Sequence, residues 1–174
     1  MTIHDSHPFA EPESERDPVR RLRGRLGGAV TLWTAGDDAG RAGLTVSSVL
    51  VAGGSPGRVL GLVDPDSDLA DVVERTGRAV VHVLSWSHRD LADAFAGVAP
   101  APGGAFRLGD FEDTAHGPRL TSVGAWAFVT VEPGSSVEVG WSRLLTCTVD
   151  EVGLEEDQGG LGHRRGRYLR LDQP

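Results

Sequence analysis

A single cysteine, Cys147, stands in 174 residues, so no internal disulfide can form and the chain fits a reducing compartment. It lies in the apolar run Leu144, Leu145, Thr146, Cys147, Thr148, Val149, where a small buried packing residue is expected. Long apolar runs are also missing: none approaches the roughly 20 residues of a membrane helix. The opening residues, His4, Asp5, Ser6 and His7 followed by Glu11, Glu13 and Glu15, hold no apolar stretch of the signal-peptide kind. A cytoplasmic protein without membrane contact is the expectation. Excess positive charge is absent too. The formal net charge is −8 and the pI about 5.2, which removes any general attraction to nucleic acid or an anionic membrane. Two local clusters, Arg20, Arg21, Arg23 and Arg25, and Arg164, Arg165, Arg167 and Arg170, read first as solvated faces, though each can serve one small anion.

Several chemical signatures are lacking as well. The histidines His4, His7, His82, His88, His116 and His163 show no H-x-x-x-H spacing and no cysteine or carboxylate at metal-ligand distance along the chain, so no metal site is expected. Neither G-x-G-x-x-G after a strand nor G-x-x-x-x-G-K-[ST] occurs, which removes a Rossmann site and a P-loop. Gly53, Gly54, Ser55, Pro56 and Gly57 match the letters of a nucleophile elbow, but an apolar strand follows where the elbow needs a helix, so a turn is the reading.

What is present is turn chemistry between short apolar runs, with 24 glycines and 10 prolines, and that favours many strands over a bundle. Residues 1–16 read as a polar tail and 17–174 as one domain. Asp17 and Pro18 open a short helix with the apolar stripe Val19, Leu22 and Leu26, stopped at Gly27 and Gly28. Strands are expected over residues 29–35, 43–50, 58–63, 79–84, 122–131, 137–139, 143–152 and 167–171. A helix is expected over 66–77, and a second from Ser87, with Asp90 completing its capping box and Leu91, Ala94 and Phe95 buried. Residues 99–119 read as a long irregular loop. Within the strand at 43–50, Thr45, Ser47 and Ser48 place three hydroxyls in an apolar context. They either bond nearby backbone or line the edge of a polar ring.

In this order along residues 17–171 the chain resembles the flavin reductase-like family. The carrying motifs are Gly28 to Ala35 (G-A-V-T-L-W-T-A), Gly43 to Val49 (G-L-T-V-S-S-V), the stretch from Asp64 to Gly77, Ala79 to Leu84 (A-V-V-H-V-L), Leu91 to Gly97 (L-A-D-A-F-A-G), and Gly166, Arg167, Tyr168 with Leu171. The resemblance implies a mainly β, antiparallel split β-barrel of the FMN-binding type with two or three peripheral helices. It implies a homodimer holding FMN or FAD near the subunit interface, and an oxidoreductase that reduces flavin with NADH or NADPH. A monooxygenase partner is implied with it. The implied flavin contacts are Thr45, Val46, Ser47 and Ser48 along the ring, Ser67 on the phosphate side at a helix start, and Phe95, Arg165 and Tyr168; no catalytic residue is implied. Gly140, Trp141 and Ser142 replace the family's Gly-Asp-His, which is associated with nicotinamide, and His163 stands where a tyrosine is common. The alternative is a flavin-binding protein of the same fold without nicotinamide-dependent activity, and a further one is a split barrel that has lost its ligand.

Overall fold

Alternating apolar and hydroxyl-bearing residues build strand β2 (Thr31–Ala35), and every one of its side chains is buried. The computed structural model describes residues 17–172; the tail expected over 1–16 lies outside the described residues. A two-residue strand β1 (Gly28–Ala29) precedes β2, which pairs with β3 (Ala42–Val46) on one side and β6 (Arg78–Val83) on the other. Beyond β6 the antiparallel sheet continues through β9 (Ala125–Val131), β11 (Ser142–Leu154), β5 (Arg58–Val63) and β4 (Val49–Ala52), and β10 (Val137–Val139) pairs with β11. Among the described residues three helices accompany it, α1 (Pro18–Leu26), α2 (Asp68–Thr76) and α3 (Arg89–Phe95). This is the mainly β split barrel with peripheral helices that the sequence led us to expect.

The two outer strands of this seven-strand path, β3 and β4, are consecutive in the chain and joined by Ser47 and Ser48 alone. At about 4.8 Å per strand, a flat sheet would hold them roughly 29 Å apart. Two residues between strand ends reach at most about 11 Å. The sheet must therefore curl until its edges face each other, and Ser47 and Ser48 cross the seam. The single strand expected over residues 43–50 is accordingly broken there.

Curling creates two packed regions. Inside the curl, Trp33, Val46, Val63, Val81, Leu145 and Cys147 pack with Leu69 and Val73 of α2. The Trp33 indole lies against Gly61, where an added Cβ would stand 2.7 Å from the ring. On the outer side Val30, Leu32 and Leu84 pack with Leu91, Ala92 and Phe95 of α3. The interior hydroxyls are all used: Thr31 Oγ1 donates to the Val46 carbonyl at 2.6 Å and accepts from Trp33 Nε1 at 3.1 Å, and Thr34 Oγ1 donates to the Pro118 carbonyl at 2.5 Å. Cys147 is buried as expected, and burial pushes its thiol up to about 12, which leaves it protonated and inert.

Three local expectations are corrected. Residues 99–119 are not irregular throughout: a 3-10 turn (Ala105–Leu108) leads into the hairpin of β7 (Phe111–Thr114) and β8 (Gly117–Leu120). The capping serine is Ser85, not Ser87: it caps a 3-10 turn (Trp86–His88) that leads into α3, in a reciprocal box with His88. A strand not expected, β12 (Leu161–Arg164), lies between β1 and β13 (Arg167–Arg170) in a separate three-stranded sheet.

One side chain ties these layers together. His82, in the middle of β6, is fully buried; its Nδ1–H donates to the Leu32 carbonyl at 2.9 Å, and its Nε2 accepts from the Leu120 amide at 3.0 Å. Burial pushes its pKa down to about 4 from 6.5. The fold thus holds the neutral ring, and the stability this contributes is complete above pH 6.5 and is lost as pH falls towards 4. It amounts to about 3 kcal/mol. Urea midpoints measured from pH 7.5 to pH 4 should fall steeply below 6.5 in the wild type, whereas His82→Gln should begin less stable and fall less over the same interval.

Candidate functional site

At the seam the ladder that would consume backbone groups is interrupted, and Ser47 and Ser48 sit half-exposed between two adjoining cavities. The first, about 330 Å³, is lined by Thr45, Val46, Ser47, Ser48, Asp64 and Trp141 among others. The second, about 680 Å³, opens towards α1 and is lined by residues including Arg20, Arg23, Leu26, Gly28, Leu50 and His163. Both volumes lie in or near the range of small-molecule sites. Arg23, Ser47 and Ser48 line both.

The seam is held rigidly from behind. The Leu62 amide donates to the Ser48 carbonyl at 3.0 Å. Gly28 comes so close to the Ser47 carbonyl that a Cβ there would stand 2.8 Å from it. Thr45 Oγ1 donates to the Ala92 carbonyl at 2.7 Å, which ties β3 to α3. From the next residue of α3, Asp93 accepts a 2.6 Å hydrogen bond from the Tyr168 hydroxyl, and Tyr168 packs edge-on against His163. Burial, reinforced by the bond to Asp93, raises the Tyr168 pKa well above the ordinary phenol value, so it remains a neutral donor.

Of the expected contact residues, Thr45, Val46, Ser47 and Ser48 come together around the cleft, although Val46 is itself buried and the Thr45 hydroxyl is already bonded. Arg165 adjoins it through its backbone. Its amide donates to the Gly24 carbonyl of α1 at 3.0 Å from a left-handed conformation, φ 52°, beside Gly166 on the wall. Ser67, Phe95 and Tyr168 do not line these cavities. Ser67 caps α2, donating to the Asp64 carbonyl at 2.6 Å and accepting from the Ala70 amide at 3.3 Å. Phe95 is buried beside Gly43 and in edge contact with Phe106 and Phe111.

Sequence reasoning missed Arg23 and Asp64 as wall residues. Arg23 belongs to a cluster that reads first as a solvated face able to serve one small anion; its spacing of three from Arg20 is the signal that places both on one side of a helix. Trp141, noticed only as a departure from a motif, is 91% exposed at the cavity rim, on the turn made by Gly140 at φ 58°. The pair of His88 with Ser122 elsewhere is not a nucleophilic dyad. His88 Nδ1 accepts from the Ser85 amide at 3.1 Å and lies 2.9 Å from the Ser85 hydroxyl within a helix-capping box, so Nε2 carries the proton and donates to Ser122 Oγ at 3.0 Å, the reverse of what a base for Ser122 requires. Among the described residues no group of three His, Cys, Asp or Glu side chains could hold a metal ion.

Comparison with known proteins gives a consistent pattern. Residues 23–172 match the model of the flavin reductase-like domain. The chain is 35% identical over 159 residues to the FMN reductase (NADH) RutF of Ancylobacter novellus, covering 90% of this chain and 86% of that protein. It is 27% identical over 167 residues to the 4-hydroxyphenylacetate 3-monooxygenase reductase component of Pseudomonas aeruginosa, covering 95% and 98%. Among solved structures, an NADH:FAD oxidoreductase of Streptomyces globisporus superposes with a TM-score of 0.80 at 21% identity, over 95% of this chain and 98% of that one, a likeness of fold.

The brace behind the seam is testable. Tyr168→Phe should lower the unfolding free energy by about 1–3 kcal/mol in urea, since Asp93 loses a partner; an unchanged midpoint would show that the hydroxyl braces nothing.

Proposed function

Because the chain belongs to the flavin reductase-like domain family, we propose that it is an NAD(P)H:flavin oxidoreductase that holds FMN or FAD with the ring edge along Thr45, Val46, Ser47 and Ser48. The observation that carries this is the seam itself, where two half-exposed serines stand in a cleft of ligand size. Such hydroxyls and the neighbouring amides suit a heteroaromatic edge that alternates donors and acceptors. A flavin held there would supply the redox chemistry, as acceptor of hydride from a reduced nicotinamide. The protein's part is placement. Thr45, held by Ala92, fixes the strand on one side of the seam, and the Leu62 amide fixes Ser48 on the other. Phe95 and Tyr168 act from behind, and Ser67 and Arg165 orient the flanking helix and hairpin.

A second reading, flavin binding without nicotinamide oxidation, rests on Ser142, which lines the smaller cavity where the family's histidine would stand, next to the exposed indole of Trp141 at the rim. The two part on one measurement: NADH or NADPH oxidised in the presence of flavin supports the reductase, and flavin binding without oxidation supports the second.

The site is completed by a second copy of the chain. The apolar stripe of α1 is exposed, Leu26 by 82%, and Leu50 and Val51 stand out from the edge strand β4 nearby. Uncovered, such a surface is an aggregation hazard. The working location is the cytoplasm, which suits the buried free thiol; no helix among the described residues is long and apolar enough to cross a membrane. The name of the Pseudomonas aeruginosa relative supports a monooxygenase as the user of reduced flavin.

Flavin fluorescence should be quenched on titration with the protein, and Ser47→Ala with Ser48→Ala should weaken binding by about 1–3 kcal/mol in total. Unchanged affinity would place the ring elsewhere. Sedimentation equilibrium should give a mass twice the 18.4 kDa of the chain, and Leu26→Glu with Leu50→Glu should shift it to the monomer.

A further inference from the structure

The two cavities at the seam differ in charge, and the difference gives the site a direction. The smaller one, beside the expected ring position, includes the carboxylate of Asp64. The larger one is walled by Arg20, Arg23, His163 and the backbones of several glycines, with no carboxylate among its lining residues. In a chain with 25 acidic residues and a net charge of −8, a wall of this kind is not the average surface. Arg23 borders both, so the smaller compartment sets one carboxylate against one arginine, whereas the larger sets two arginines against none, and a phosphate is held better in the second.

Helix phase sharpens the point. Arg20 and Arg23 are three residues apart and share the face turned to the cavity, together with Gly24 and Gly27. Arg21 and Arg25 line a shallow depression on another face, with Pro18 and Leu22. Arginines near a helix C-terminus are explained by the helix dipole, which covers Arg23 and Arg25. That account does not cover Arg20, which stands in the first turn, where the dipole disfavours a cation and where α1 carries no acid. Every cation of the chain is arginine, whose planar fork matches two phosphate oxygens at once.

We propose that the α1 side of the seam is a subsite for the diphosphate of a dinucleotide, held by Arg20 and Arg23. This rests on the reading that the seam holds the flavin ring. Because Arg23 and both serines line the two compartments, one ligand can run from ring position to arginines, as FAD would; the diphosphate of NADH or NADPH has the same chemistry.

The test uses the full chain and compares wild type, Arg20→Gln with Arg23→Gln, and Arg21→Gln with Arg25→Gln. Riboflavin, FMN and FAD are titrated by fluorescence quenching, and the half-saturating concentrations of NADH and of reduced nicotinamide mononucleotide are measured in steady state. If FAD is the occupant, it binds about tenfold or more tighter than FMN, and the first double variant brings the ratio of the two affinities to about one. If the nicotinamide dinucleotide is the occupant, the same variant raises the half-saturating NADH concentration about tenfold and leaves that of the mononucleotide unmoved. In either case the Arg21 and Arg25 variant behaves as wild type. Riboflavin bound normally with neither ratio changed, or an equal effect from the two double variants, overturns the subsite alone. Failure of riboflavin to bind the wild type overturns the seam reading and the subsite with it.

Discussion

A two-residue connection between the first and last strands of a seven-strand path forces the geometry of this protein. Because Ser47 and Ser48 cannot reach across a flat sheet, the sheet must curl. Curling fixes what can lie inside, and a tryptophan with a glycine opposite it fills that space. It also leaves a place where strand pairing stops. A barrel closed by pairing all round would have consumed those backbone groups; a barrel closed by a link leaves a slot at the link. The same constraint that folds the sheet therefore opens the site, and the polar side chains nature places there need no separate scaffold.

Behind the slot, the bracing is polar where it must be specific and apolar where bulk suffices. His82 spans three elements with one neutral ring, bonding Leu32 on the neighbouring strand and Leu120 on the hairpin. Thr45 and Tyr168 converge on adjacent residues of α3, Ala92 and Asp93. A shift of α3 would move both sides of the cleft together, which keeps their separation constant.

Much of this was legible in the sequence, and the remainder was hidden for identifiable reasons. Three hydroxyls in four residues of an apolar strand pointed to the seam because hydroxyls in such a setting need partners. That the strand breaks there was not visible, since the break follows from which strands end up at the edges, a long-range property. His82 looked unremarkable in a run of valines, because a residue buried on a two-sided strand carries no periodic mark. Strand β12 carries little sequence signal because Gly160 and Gly162 interrupt its apolar pattern, whereas Gly162 is required to admit Leu169, whose Cδ1 lies 2.7 Å from where a Cβ would be. Cap choice between Ser85 and Ser87 turned on which side chain His88 meets, and spacing alone allows both.

Helix α1 contributes no buried side chain to the described chain. Substitutions along it leave the packed interior untouched, and exposed positions away from special contacts generally cost little stability. The barrel can thus stay constant while the helix that flanks its slot drifts. In a lineage of such proteins, durability and ligand preference would be inherited through different segments, and new preferences could arise without passing through unstable ancestors.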